Sequence, residues 1–235
     1  MLTYVGIWTP GGVRILSEEV VGRCVYRLIP SRYPTISIYE NLLDPDELEL
    51  AYELESLTNE RLRDEAGEIA YVPPEERIVG PGCSVVMAAF THVGVESRFS
   101  SGGYGVFYAG LEVETAIEES KCGQVRFLSA TAEPPFEVTM RAYATQVALP
   151  LLDIRGPEYN HCHDPNDWHT AQQFGREARA AGENGLWYRS VRNPGGECIA
   201  GFRTLSVQPV TQAKHYRFAW DGTSIAHVYE IKSVA

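Results

Sequence analysis

Two arginines flank a lone serine in Arg189-Ser190-Val191-Arg192, directly after the aromatic run Gly185-Leu186-Trp187-Tyr188. A guanidinium stays charged at any working pH, and its planar fork of donors matches phosphate oxygens in pairs. Two of them beside one hydroxyl therefore suit a phosphate-bearing ligand, although the same stretch also fits a solvated strand end. Arg98 sits in the glycine- and serine-rich segment Ser97-Arg98-Phe99-Ser100-Ser101-Gly102-Gly103, where backbone amides and hydroxyls can approach a ligand closely; a plain surface loop is the alternative. Arg27 interrupts the alternating apolar stretch from Glu19 to Ile29, as a paired structural residue or as part of a ligand site. Tyr108 and the adjacent carboxylates Glu118 and Glu119 complete the set, and for an acid on a helix a solvated face is the usual state.

The elements around these residues decide whether they meet. Gly182 stops an alanine-rich helix, residues 185–188 read as a half-buried strand, and Pro194-Gly195-Gly196 turns the chain into a second strand. Glu19–Ile29 reads as a strand with Cys24, Tyr26 and Leu28 on one face and Val25 and Arg27 on the other. Asp44-Pro45 supplies the N-cap and first position of a helix whose Leu50, Leu54 and Leu57 share a face. Residues 68–83 form a loop, and Ser84–Phe90 is a short buried run of ambiguous type. Val106–Ala109 reads as a strand and Glu112–Lys121 as a short helix with Val113, Ala116 and Ile117 inward. This strand–loop–helix order brings an arginine, a tyrosine and a glutamate to one end of a sheet. Phe136–Ala148 and Leu149–Ile154 read as strands, and Asp221-Gly222 joins two further strands in a hairpin.

The segment from His161 to His169 is rich in metal-ligating residue types, but adjacent residues do not easily converge on one ion. Asp164-Pro165 instead reads as the start of a helix running to about Ala181, packed through Trp168, Ala171, Phe174 and Ala178. No metal is expected. No glycine-rich dinucleotide fingerprint follows a strand, so hydride transfer is not expected either.

Composition bounds the remaining classes. With 235 residues and 44% hydrophobic residues the chain can bury a full core, and it reads as one domain whose residues 30–90 elaborate a core of about 20–231. A net charge of −11 argues against duplex nucleic acid and membrane surfaces, which demand clustered lysine and arginine. Five cysteines, an odd number without paired spacing, point to a reducing cytoplasm. Neither an export signal nor a membrane-spanning run is evident.

Taken in order, Tyr26-Arg27, Ser97-Arg98-Phe99-Ser100, Tyr104–Ala109, Glu114–Glu119, Gly185–Arg192, Gly195–Cys198 and Phe202 resemble the RES-domain family, over about Cys24 to Tyr229. The resemblance implies an α+β, ADP-ribosyltransferase-like fold with a mixed or antiparallel sheet and flanking helices. It implies a toxin of a bacterial toxin–antitoxin pair that consumes NAD as substrate and is neutralised by an Xre-type antitoxin, as a homodimer or a higher complex with it. Carried over to this chain, it makes Arg27 and Arg98 pocket arginines, Tyr108 the pocket tyrosine, Glu119 the glutamate and Ser190 the serine, with Arg192 beside them on NAD. Similar sequences often carry a histidine shortly after the glutamate, where this chain has Lys121-Cys122-Gly123-Gln124. The acceptor of the ADP-ribosyl group remains open between water, phosphate and a protein side chain. The competing expectation is a non-catalytic module that receives an anion or a peptide terminus in the same arginine pocket, and such a receptor gains nothing from Glu119.

Overall fold

The computed structural model describes residues 5–9, 12–42, 44–56 and 66–232, with side chains placed from residue 16 onward apart from 55 and 56. Ten strands form one sheet: β1 Val5–Thr9, β2 Gly12–Ser17, β3 Cys24–Pro30, β4 Phe107–Gly110, β5 Phe136–Gln146, β6 Leu151–Asp153, β7 Gly185–Arg189, β8 Glu197–Gly201, β9 Thr211–Trp220 and β10 Ile225–Ile231. Their order is β1-β2-β6-β7-β8-β4-β3-β5-β9-β10, and every pairing is antiparallel except β6 with β7. Among the described residues the helices are α1 Ser37–Asn41, α2 Leu48–Ser56, α3 Ser84–Thr91, α4 Val113–Thr131 and α5 His169–Ala180, with short 3-10 turns between. The expected α+β class is thus observed.

Helices cover both faces of the sheet. On one face, α1 to α3 pack Tyr39, Leu48 and Val86 into a cluster with Val25, Phe107, Tyr143 and Trp187. The segment expected as an elaboration therefore shares its core with the central strands. On the other face, α5 places Ala171 and Ala178 against Leu186, Tyr188 and Ala200 of β7 and β8, while α4 sets Leu128 on Met140, Phe218 and Trp220. Because helices sit on both sides, Leu186, Trp187 and Tyr188 are all buried, which corrects the half-buried expectation for β7.

Local chemistry explains several boundaries. Asp44 Oδ1 accepts from the Asp46 amide, as an N-cap before Pro45 should, but the first turn is 3-10. In α2 the buried residue is Leu48, whereas Leu50 and Leu54 are 62% and 58% exposed, which overturns the expected stripe; Leu57 lies outside the described residues. Helix α4 continues to Thr131, ten residues beyond the expected end, and stops at Ala132 in the left-handed region with φ 52°. Asp164 caps a turn, accepting from the Asn166 and Asp167 amides, and α5 begins only at His169, where Asp167 receives the amide. The hairpin at Asp221-Gly222 forms as expected, with Asp221 Oδ1 accepting from the Thr223 and Ser224 amides.

Candidate active site

The sheet opens in its middle. Strands β3 and β4 pair only at Tyr26 and Gly110, and beyond that point the Tyr108 carbonyl accepts from Arg27 Nη1 at 3.0 Å. A side chain thus replaces a ladder bond, and the two strands diverge around a cleft of about 790 Å³. Arg27, Arg98, Tyr108, Glu119 and Arg192 all line this cleft, so five of the residues singled out from sequence meet in one place. Ser190 stands immediately behind Glu119.

Glu119 projects from α4 and is held by one oxygen. Its Oε1 accepts from Ser190 Oγ at 2.6 Å and from the Val191 amide at 3.2 Å. Ser190 Oγ in turn accepts from the amides of Arg192 and Asn193, at 3.2 and 2.9 Å. The hydroxyl is therefore saturated by its own turn and by the carboxylate; it orients Glu119 rather than presenting itself as a nucleophile. Oε2 has no protein partner among the described residues and is left for a ligand. Glu118, by contrast, pairs with Lys121 on the outer side of α4 at 3.0 Å and does not line the cleft. The choice between the two carboxylates is a matter of helix phase: adjacent residues are about 100° apart.

Arg27 is a cation without an acid. No carboxylate among the described residues pairs with it, its Nε is buried and unpartnered, and its guanidinium lies 4.9 Å from the Phe107 ring. Burial pulls its pKa down to about 10, because the charged form loses solvation that no protein anion restores.

Arg98 is buried and largely committed to the protein. Its Nη1 donates to the carbonyl of Asp164 at 2.7 Å and to that of Cys162 at 3.4 Å, fastening residues 162–168 over the cleft. Tyr108 has a similar double role. Its ring lines the cleft, while its hydroxyl accepts from the Phe99 amide at 3.0 Å and shares a 2.9 Å hydrogen bond with Ser97. Burial pushes its pKa up to about 12, so the phenol stays protonated.

The structure separates the two arginines that flank the serine. Arg192 faces the cleft and donates to the Pro165 carbonyl, whereas Arg189 leaves on the other side of the turn and bonds Asn160 at 2.6 Å. The expectation that both flank one phosphate is therefore wrong, because the turn that Ser190 Oγ holds through the Arg192 and Asn193 amides separates the two side chains. Within the histidine-rich segment, His163 donates from Nδ1 to the Tyr159 carbonyl at 2.8 Å and accepts from the Arg189 amide at Nε2, so both ring nitrogens are occupied. Among the described residues no three His, Cys, Asp or Glu side chains are grouped to hold a metal ion.

Several cleft residues carried no sequence signal. Trp168, expected as packing, lines the cleft with its indole Nε1 buried and unpartnered, 4.8 Å from the Arg126 guanidinium and 6.0 Å from that of Arg98. Arg126 pairs with Glu96 at the rim. Beneath Glu119 the Cys198 thiol and the Tyr188 phenol are both held far above their ordinary pKa by burial, and the nearby carboxylate adds to the effect. The floor is thus uncharged. In the segment Lys121-Cys122-Gly123-Gln124, Cys122 and Gly123 line the cleft, and Gly123 faces open space.

Comparison with known proteins places the chain in a family. The model of the RES domain matches residues 74–221. An uncharacterised protein of Sinorhizobium fredii, y4oC, is 30% identical over 217 residues, 91% of this chain and 90% of that protein. A solved structure, the M. tuberculosis MbcT-MbcA toxin-antitoxin complex, aligns at 13% identity over 54% of this chain and 72% of that one, with a TM-score of 0.38. No described helix is long and apolar enough to cross a membrane. The family match spans the cleft loop, α4 and the serine turn, and the chain is a member of the RES domain family.

Proposed function

We propose that the chain is the NAD-consuming toxin of a bacterial toxin–antitoxin pair, acting in the cytoplasm and held in check by an Xre-type antitoxin. The observation that carries this reading is Glu119: one carboxylate oxygen is fixed by Ser190 and Val191, the other is left for a cleft that also holds Arg27, a cation with no acid beside it among the described residues and a buried, unpartnered Nε. A pyrophosphate fits Arg27, with Arg192 at the rim. Tyr108 and Trp168 offer flat walls for the rings at the two ends of a dinucleotide.

The chemistry asked of such a site is modest. When the bond between ribose C1′ and the nicotinamide nitrogen breaks, its electron pair leaves with the ring, nicotinamide departs neutral, and positive charge develops on the sugar. The free oxygen of Glu119 stabilises that charge or the ribose hydroxyls beside it, and Ser190 keeps the carboxylate aimed without reorganisation. An acceptor then adds to C1′ and loses its proton to solvent. Water makes the chain an NAD glycohydrolase, phosphate an NAD phosphorylase, and a protein side chain a mono-ADP-ribosyltransferase.

The test is to incubate antitoxin-free protein with NAD and follow nicotinamide release in buffer, with inorganic phosphate, and with cell lysate. Release that depends on one of these additions names the acceptor. No release from folded protein under any of them would sink the proposal.

A further inference from the structure

A second cavity, of about 590 Å³, lies between strands β3 and β5 and helix α3, and the proposed chemistry leaves it unused. Most of its wall is apolar, contributed by residues such as Ile29, Ile36, Val85 and Ala88. Its charged members are Arg27 and Arg141, with His92 nearby, and no aspartate or glutamate is among the described residues that line it. In a chain with 31 acidic and 20 basic residues, a cavity lined by bases alone runs against the overall balance.

Both guanidiniums are incompletely satisfied. Arg27 Nη1 is anchored on the Tyr108 carbonyl and Arg141 Nη2 on the Tyr33 carbonyl, yet Nε of each is buried without a hydrogen-bond partner among the described residues. Among the described residues neither arginine has a carboxylate partner, although ten ion pairs are present. Burial of the Arg27 guanidinium opposes its charged form with no acid among the described residues to offset it, and half-buried Arg141 brings a second unpartnered Nε to the same apolar cavity. The volume falls within the ~300–1,000 Å³ typical of small-molecule sites.

We propose that this cavity is a ligand site for a small monoanion with an aromatic or branched aliphatic body. The anionic head pairs with Arg141, in a cavity that Arg27 also borders, and the body packs against Val85 and Ala88 of α3. Arg27 is common to this cavity and to the cleft, so the occupant lies next to the reaction centre. Nothing in the argument depends on NAD chemistry.

The test uses anilinonaphthalene sulfonate as the fluorescent monoanion and phenylnaphthylamine, which keeps the aromatic body and lacks the sulfonate, as its neutral counterpart. The full chain should bind the sulfonate at one saturable site at least tenfold more tightly than the amine. Arg141→Met should weaken the sulfonate at least tenfold and change the amine less than threefold, and Arg141→Lys should recover most of the loss. Ala88→Phe, which fills the cavity from a half-exposed position, should remove both dyes, while Trp168→Ala in the cleft should affect neither. Equal affinity of wild type and Arg141→Met for the sulfonate would overturn the proposal, as would loss of both dyes in Arg141→Met or loss of the sulfonate in Trp168→Ala. Because every readout is dye binding without NAD, failure here is distinct from failure of the proposed enzyme activity.

Discussion

Replacing Ser190 by alanine probes how Glu119 is held. The substitution removes the 2.6 Å hydrogen bond to Oε1 and leaves the carboxylate oriented by the Val191 amide alone. A hydrogen bond to a charged group contributes ~1.5–3 kcal/mol. If that energy is used to hold the carboxylate for the transition state, kcat falls by about 10- to 150-fold. KM should change little, because the serine hydroxyl is already bonded to Glu119 and to two amides and has little left for substrate. The same change frees the Arg192 and Asn193 amides, a loss comparable to an N-cap at ~1 kcal/mol, or about 2–4 °C of melting temperature in a chain of this size. Nicotinamide release should be measured for Ser190→Ala, for Glu119→Ala and for the double variant. A residue that acts through Glu119 adds almost nothing once Glu119 is gone, so the double variant should match Glu119→Ala within about threefold. Full additivity would refute the positioning role and make Ser190 a direct contact of the substrate.

Four further outcomes follow from the same geometry. Arg27→Met should weaken NAD binding at least tenfold, yet leave the melting temperature unchanged or higher at neutral pH. The folded pKa near 10 is below the unfolded value, so the buried charge opposes folding at neutral pH and that opposition is relieved only as pH rises above about 10; a drop of more than ~5 °C in calorimetry would contradict this. Gly175→Ala should cost ~1–3 kcal/mol in urea unfolding and reduce activity, because its Cβ would stand 2.3 Å from the Phe99 carbonyl and push α5 against the loop that carries Arg98. Wild type should lose stability between pH about 10 and about 12 more steeply than Tyr108→Phe. The Tyr108 pKa is raised by burial, so its contribution is complete below the unfolded value and disappears as pH climbs through the folded one, which urea midpoints across that window would show. In thiol labelling of the native chain, exposed Cys24 and half-buried Cys122 should react while Cys83, Cys162 and Cys198 stay silent, their thiols held above the usual range by burial. NAD should protect only Cys122, which lines the cleft; protection of Cys24 instead would place the ligand elsewhere.

How far the site was legible in the sequence differs from residue to residue. The order of Arg27, Arg98, Tyr108, Glu119 and Ser190 along the chain was readable, and so were the strands and turns that carry them, because alternation, glycines and the Asp-Gly pair are local signals. That Arg189 and Arg192 part ways depends on the turn held by Ser190, a contact between residues that no periodicity reports. Trp168 looked like a packing residue since an aromatic near a helix start usually is one, and only the bond from Arg98 to the Asp164 carbonyl shows why it reaches the cleft. Leu50 and Leu54 had helical spacing but the wrong phase: tertiary packing selected Leu48, with Ala51 and Tyr52 half-buried beside it. The second cavity was invisible for the same reason. Arg27 and Arg141 reach one cavity only through the β3–β5 register, which pairs Arg27 with Tyr143 and Ile29 with Arg141.

The most direct measurement of the central claim is the initial rate of nicotinamide release from NAD by Glu119→Gln beside Glu118→Gln. The two positions are adjacent on α4, but only Glu119 is held by Ser190 at the cleft, while Glu118 pairs with Lys121 outside it. The account predicts a loss of at least 100-fold in kcat for Glu119→Gln with KM nearly unchanged, and near wild-type turnover for Glu118→Gln. Turnover that survives in Glu119→Gln, or falls equally in both, would contradict it.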